Sequence, residues 1–212
     1  MYILTNTLQF PSVNHADIDG LLAVGGDLST DRLVEAYTNG IFPWYNEDQP
    51  ILWFSPDPRM VLFPKELHIS KSMKQLLRKD QFEVTFNKDF DTVIYNCATV
   101  KRVEQDGTWI TNDMQKAYKK MHILGYAISV EVWFDSELVG GLYGIWLADK
   151  KIFCGESMFS KVNNASKFGF IKLVEWLKQK EVNLIDCQVY TDHLASLGAR
   201  EISRAEFLTF LK

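Results

Sequence analysis

Hydrophobic and polar positions repeat with helical or strand-like spacing along most of the chain after residue 68. Apolar residues recur every three or four positions in several segments, which predicts helices over residues 70–79, 90–98, 112–124 and 164–179. Apolar runs bounded by turn residues predict strands over residues 84–86, 128–134, 138–147, 152–159 and 183–189. Three strands, a helix and a further strand in that order indicate an α+β domain, with helices on the faces of a sheet.

The first sixty residues carry a different pattern, with many prolines and glycines and one clear helix. Ser29 or Thr30 can cap this helix, and Leu33 and Tyr37 belong to its apolar stripe. The remainder predicts turns and short strands. The sequence therefore predicts a small N-terminal α+β domain over residues 1–64 and a larger α+β domain over residues 65–212.

Composition and charge narrow the class of protein. Of 212 residues, 47% are hydrophobic and 24% are charged, which is typical of a soluble globular protein. The beginning lacks a signal-peptide pattern and no apolar run is long enough to span a membrane, so a cytoplasmic protein is expected. A net charge of −4 argues against a protein that coats nucleic acid, but leaves room for a local basic patch.

Cysteine and histidine spacing predicts no metal site. Cys97, Cys154 and Cys187 are far apart and form no CxxC pair, and the histidines are isolated. Cys187 is not expected to be a nucleophile, because the sequence places no histidine beside it.

Polar residues interrupt two predicted strands. Glu156 stands in an otherwise apolar strand, where a carboxylate either binds a cationic amine or faces solvent. In the strand over residues 183–189, alternation puts Asp186 and Gln188 on one face. That face either forms a small functional site or is the solvent-exposed face of the sheet.

Two further groups have two interpretations each. The tryptophans Trp44, Trp53 and Trp109 lie in or beside loops, where they either line a binding site or tie loops to the core. A short predicted helix carries three cations, Lys71, Lys74 and Arg78. They either contact phosphates or form a solvent-exposed face of the helix.

Ten runs in fixed order give the chain a resemblance to a known family, the leucyl/phenylalanyl-tRNA–protein transferases. They are GLLAVGGDLS (20–29), GIFPW (40–44), SPDPR (55–59), GTWI (107–110), SVEVW (129–133), VGGLYG (139–144), GESMFS (155–160), NASK (164–167), DCQ (186–188) and HLASLGA (193–199). They span nearly the whole chain, which makes the signal far more specific than one short motif.

The resemblance implies an α+β fold, in which a C-terminal domain similar to the GCN5-related acetyltransferases follows a small N-terminal domain. Acetyltransferases hold the pyrophosphate of acetyl-CoA with an Arg/Gln-x-x-Gly-x-Gly/Ala loop before a helix. The nearest string here, residues 122–127, begins with His122 and follows a helix. Neither coenzyme A nor another cofactor is therefore expected.

The resemblance also implies the reaction and its partners. Leucine, phenylalanine or methionine would move from aminoacyl-tRNA to the α-amine of proteins that begin with Arg or Lys, which marks them for N-end-rule degradation by the cell. Asp186 would orient Gln188 and raise its electron density, and the Gln188 side-chain oxygen would help to take the amine proton. Glu156 would help to hold the amine. A monomer is expected.

Substrate-binding residues follow from the same resemblance. An apolar pocket would hold the amino-acid side chain, and the helix of Lys71, Lys74 and Arg78 would hold the tRNA. The pocket candidates are Trp44, Trp53, Trp109, Phe153 and Met158, with Gly155 and Ser157 beside them. The alternatives are an acyl-CoA-dependent acyltransferase of the same fold and a non-catalytic binder of peptide N-termini.

Overall fold

The computed structural model describes residues 2–79, 81–100 and 109–212, which form two β-sheets with helices around them. The strands are β1 (Tyr2–Leu4), β2 (Leu21–Gly25), β3 (Phe42–Pro43), β4 (Leu52–Phe54), β5 (Arg59–Leu62), β6 (Glu83–Phe86), β7 (Ala127–Phe134), β8 (Glu137–Leu147), β9 (Ile152–Ser160), β10 (Leu184–Gln188) and β11 (Arg200–Ile202). The helices are α1 (Thr30–Thr38), α2 (Lys71–Lys79), α3 (Phe90–Thr99), α4 (Asn112–Ile123), α5 (Ala165–Gln179), α6 (Asp192–Ala195) and α7 (Arg204–Thr209).

The smaller sheet has the strand order β1-β2-β4-β3. Helix α1 begins where the sequence predicts, because the Ser29 hydroxyl accepts a hydrogen bond from the Arg32 backbone N–H at 3.4 Å. Leu33 and Tyr37 of its apolar stripe are fully buried, and Val34 is partly buried. The small N-terminal sheet confirms the first part of the predicted fold class.

The larger sheet has the strand order β11-β5-β10-β9-β8-β7-β6. Strands β7, β8 and β9 form the predicted antiparallel meander, and β10 joins it in parallel beside β9. Neighbouring residues of β8 point to opposite faces: Tyr143 packs in a core with α3 and α4, and Leu142 packs in a core with α5. Helices thus cover both faces, and the α+β prediction is confirmed.

The two sheets are less separate than the predicted boundary at residue 64 suggests. Strand β5 pairs with β10 and β11, so the larger sheet already includes residues before Pro64. One apolar cluster also joins Tyr37 and Trp53 to Tyr143. Strand β11, which pairs with β5, and helix α7 were not predicted from the sequence. Within the described ranges, no helix is long and apolar enough to cross a membrane.

Strands β9 and β10 are paired over only the first part of their length. Their pairing runs from Leu184 opposite Ile152 to Asp186 opposite Cys154 and then stops. A bulge follows in each strand, with Glu156 as the extra residue opposite β8 and Cys187 as the extra residue opposite β5. Bulges bend a strand and redirect side chains, so a gap opens between the two strands at this point.

Candidate active site

A cavity of about 350 Å³ lies at the gap between β9 and β10. Its walls are mostly apolar, and Glu156 and Gln188 contribute polar groups. A mainly apolar cavity with a few convergent polar groups is the usual form of a small-molecule or substrate site. Six of the predicted substrate-binding residues line it, namely Trp44, Trp109, Phe153, Gly155, Ser157 and Met158.

The Glu156 carboxylate is surrounded by neutral hydrogen-bond donors. Tyr37 Oη donates to Oε1 at 2.7 Å, Tyr118 Oη donates to Oε2 at 3.0 Å, and Gln188 Nε2 donates to Oε1 at 2.8 Å. The two tyrosine hydroxyl oxygens also lie in contact with each other. The residue as a whole is half-buried, but its carboxylate lies against two fully buried phenol groups. The interpretation that Glu156 faces solvent is therefore wrong.

This environment raises the pKa of Glu156 to about 7. Burial is the main cause, and the charge of Asp186 acts in the same direction, while the three donated hydrogen bonds lower the pKa. A carboxyl group with a pKa near neutrality can both accept and release a proton at physiological pH. Glu156 is thus suited to proton transfer, in addition to binding an amine.

Asp186 is held by a cation instead. Arg59 Nε donates to Oδ1 at 2.8 Å and Arg59 Nη2 donates to Oδ2 at 2.7 Å, and both side chains are fully buried. The guanidinium is stacked between the rings of Phe42 and Phe207, at 4.8 and 4.7 Å from their centroids. Asp186 does not line the cavity.

Asp186 does orient Gln188, but through the backbone. Its Oδ1 accepts the Gln188 backbone N–H at 2.9 Å, and Gln188 holds a left-handed backbone conformation with φ of 66°. The Gln188 side-chain amide bonds to Glu156, and within the described residues its oxygen has no partner.

Two buried thiols lie close to these acids. Cys187 lines the cavity and Cys154 lies one residue before Gly155. Burial raises the pKa of both thiols well above the usual range, and the charge of Asp186 adds to the effect. Both remain protonated at neutral pH, which agrees with the prediction that Cys187 is not a nucleophile.

Trp53 corrects the predicted set of pocket residues. Its side chain is fully buried, packs edge-on against Phe10 and donates from Nε1 to the Gly25 carbonyl at 2.8 Å. It does not line the cavity. Of the two interpretations of the loop tryptophans, the structural one holds for Trp53, whereas Trp44 and Trp109 lie at the cavity.

The predicted tRNA-binding cations lie elsewhere. Lys71, Lys74 and Arg78 are exposed on α2 and take no part in the salt bridges of the described residues. None lines the cavity. Gly107 and Thr108, which belong to the run before Trp109, lie outside the described residues. The described part of the chain also offers no cluster of His, Cys, Asp and Glu that could hold a metal ion.

Sequence reasoning missed three residues of the site. Tyr37 lies in the predicted apolar stripe of α1, Tyr118 lies within the predicted helix over residues 112–124, and Arg59 ends the run SPDPR. A phenol at a fully buried helix position needs a hydrogen-bond partner, and this was the one available signal. That partner is Glu156, which is 119 residues from Tyr37 and 38 residues from Tyr118 in the sequence. Only the fold brings them together.

Known proteins resemble the chain over its full length. The family described as "Leucyl/phenylalanyl-tRNA protein transferase" matches residues 61–212, and the family described as its N-terminal domain matches residues 26–57. A protein named leucyl/phenylalanyl-tRNA–protein transferase from Christiangramia forsetii is 64% identical over 211 residues, which cover all of both chains. Proteins of the same name from Flavobacterium psychrophilum and Pseudomonas fluorescens are 59% and 58% identical, over all of this chain and 100% and 93% of theirs.

Among solved structures, the chain matches a GCN5-related N-acetyltransferase from Kribbella flavida. The TM-score is 0.41 at 7% sequence identity, and the match covers 80% of this chain and 60% of the other.

Proposed function

Because the chain belongs to the leucyl/phenylalanyl-tRNA protein transferase family, we propose that it transfers leucine, phenylalanine or methionine from aminoacyl-tRNA to proteins that begin with Arg or Lys. The family and its transferase activity, which the sequence predicted, are confirmed by the full-length relatives. The proposal also covers the choice of amino acids and acceptors and the marking of acceptors for degradation. It further includes a cytoplasmic location and a monomeric state. The observation that carries it is the apolar cavity with Glu156 and Gln188 at its polar edge.

The reaction forms one bond and breaks another. The α-amino nitrogen of the acceptor attacks the carbonyl carbon of the aminoacyl ester, and the bond from that carbon to the ribose oxygen breaks. The nitrogen loses a proton and the ribose oxygen gains one, so no external acid, base or oxidant is consumed. Holding the amine and the ester together in one cavity supplies much of the rate, because it replaces a bimolecular encounter with a positioned one.

Gln188 and Glu156 have different roles toward the acceptor amine. The Gln188 amide is fixed by its bond to Glu156, which leaves its side-chain oxygen to accept an N–H of the amine. An amide is a weak base, so we assign it the orientation of the amine. The Glu156 carboxyl, with its pKa near 7, holds the amine when ionised and takes up its proton.

Asp186 contributes by fixing Gln188. Its two oxygens are bonded to Arg59, and one of them also holds the Gln188 backbone N–H. The left-handed turn of Gln188 therefore depends on a buried ion pair. We infer that Asp186 is a positioning residue, which acts through Gln188.

The apolar walls select the transferred side chain. Phe153 and Ile185 are fully buried and line the cavity beside Leu142 and Met158. A side chain that is unbranched at its β-carbon, as in Leu, Met and Phe, would fill such a cavity, and a branch at the β-carbon would meet the walls. Discrimination against one misplaced methyl group is roughly 1–3 kcal/mol. The exposed cations of α2 would hold the tRNA end by contacts with phosphates.

The test is transfer of labelled phenylalanine from charged tRNA to a model protein with an N-terminal Arg. We expect Gln188→Ala to lower the rate by about 100-fold, since it removes the group that orients the amine and leaves the Asp186–Arg59 pair intact. Cys187→Ala, the neighbouring change in the same bulge, is the matched control and should keep the rate.

Three other results would contradict the proposal. Full activity of Gln188→Ala would remove its assigned role. Micromolar binding of coenzyme A would favour an acyl-CoA-dependent enzyme. Binding of Arg-initiated peptides without turnover of charged tRNA would indicate an adaptor.

A further inference from the structure

A second cavity, of about 220 Å³, adjoins the first. It lies between the end of β9 and the first turn of α5, and His193 lines both cavities. The two spaces are therefore neighbours on the same side of the molecule. A ligand that extends out of the first cavity past His193 would enter the second.

The second cavity is basic, although the chain as a whole is acidic. Lys161 and Lys167 line it together with His193 and several hydroxyl and amide groups, and none of its lining residues is a carboxylate. No salt bridge of the described residues involves Lys161 or Lys167. Two unpaired ammonium groups at one cavity favour an anion there.

His193 has an unsatisfied ring nitrogen at this place. Its Nε2 is buried and has no hydrogen-bond partner among the described residues, whereas buried polar atoms are normally paired. Burial, together with the charge of Lys167, lowers the pKa of His193, and both residues line the second cavity. A neutral imidazole N–H beside an ammonium group is a suitable pair of donors for an anionic oxygen.

We propose that this second cavity binds a phosphodiester group of the donor tRNA, the one next to its terminal aminoacylated nucleoside. The inference rests on the proposed function, which places the aminoacyl ester in the first cavity. Helix α2 packs beside the start of α5, since Met73 shares an apolar cluster with Ala165 and Phe168. The cations of α2 and the second cavity thus lie on adjoining elements, and the chain of phosphates would follow them.

Two small aminoacyl donor substrates can test this site independently of the other contacts with tRNA. One is phenylalanyl-adenosine, esterified at the ribose, and the other is the same molecule with a 5′-phosphate. For the wild-type protein we expect kcat/KM to be about 10-fold higher with the phosphorylated donor, because charge-assisted hydrogen bonds to a phosphate are strong. In Lys161→Ala with Lys167→Ala, the preference should fall to about one. The rate with the unphosphorylated donor should stay unchanged, which also shows that the variant is folded.

The matched control removes two charges at the C-terminal end of α5. Lys178→Ala with Lys180→Ala should keep the phosphate preference. With whole charged tRNA, the slope of log KM against log salt should become shallower by about 0.7 in the first double variant only. The proposal is overturned if wild type shows no preference for the phosphorylated donor, or if Lys161→Ala with Lys167→Ala retains it. If wild type transfers phenylalanine from neither donor nor from charged tRNA, the proposed function fails and this inference fails with it.

Discussion

Two buried carboxylates on diverging strands are treated in opposite ways. Asp186, at the last position of β10 that pairs with β9, is bound by a guanidinium on both oxygens and does not line the cavity. Glu156, in the bulge of β9, forms no salt bridge among the described residues and bonds to two phenols and an amide. Opposite charge stabilises the ionised form of a carboxyl, whereas burial among neutral groups destabilises it. Asp186 is thus suited to fixing the structure and Glu156 to exchanging a proton.

The largest effect should come from breaking the ion pair. Asp186→Ala leaves the Arg59 guanidinium buried without a counter-ion, which should lower the free energy of unfolding by about 3–5 kcal/mol. Transfer activity should be lost as well, since Gln188 is no longer held, while tRNA binding survives. Urea unfolding and a tRNA-binding assay measure the two effects.

A double variant provides the control. Asp186→Leu with Arg59→Met replaces both charges by apolar groups, and its stability should recover towards wild type without recovery of activity. Normal transfer by either variant would remove Asp186 from its positioning role.

The second effect concerns Glu156 and pH. Because its pKa in the folded protein, about 7, lies above the ordinary value of 4.5, the folded state keeps a proton that the unfolded chain releases. Stability from this group is therefore present below pH 4.5 and is lost as the pH rises to 7. Glu156→Gln cannot ionise, so relative to wild type it should gain up to roughly 3 kcal/mol between pH 4.5 and pH 8.

Urea unfolding at the two pH values checks this expectation. Glu137→Gln, at an exposed position, is the control and should show no such gain. An equal change in both variants would mean that Glu156 is an ordinary carboxylate.

Third come the two phenols. Tyr118→Phe and Tyr37→Phe each remove a donor to Glu156, and each should cost about 1–2 kcal/mol of stability. These hydrogen bonds lower the pKa of Glu156, so their loss should raise that pKa further. The pH at which the transfer rate reaches half of its maximum should move upward. The exposed Tyr190 provides the control, since Tyr190→Phe should leave the pH profile in place.

The smallest effect is expected at Cys187, which lies between Asp186 and Gln188 in the chain. Its thiol is buried and protonated, and it makes a weak hydrogen bond to the Ile185 carbonyl at 3.8 Å. Cys187→Ala should change the transfer rate by less than about two-fold, because a neutral thiol has no role in the proton transfer. A large loss of rate would reopen covalent catalysis.

The sequence located the polar strand positions but not the chemistry around them. Hydrophobic alternation picked out Glu156, Asp186 and Gln188, because a polar residue inside an apolar strand stands out against its neighbours. Alternation could not show the bulges at Glu156 and Cys187, which decide where these side chains point. Local spacing also contains no information about Arg59, which reaches Asp186 across 127 residues.

The fold was predictable where elements are long and periodic. Helix α5 and strands β7 to β9 agree with the prediction within about two residues, as expected of strong periodicity. The short strand β5 resembles a loop next to two prolines, so its membership of the larger sheet was not visible. Trp44 and Trp53 both lie near loops, and only packing distinguishes the tryptophan at the cavity from the one in the core.

The position of Arg59 has a practical consequence for protein engineering. It lies between residues 57 and 61, in the short connection that separates the two matched family segments. From there it donates to the Gly40 carbonyl on one side and binds Asp186 on the other. The connection is thus a poor crossover point for chimeras of related enzymes. A recombined chain that exchanges one segment should carry Arg59, Gly40 and Asp186 from the same parent.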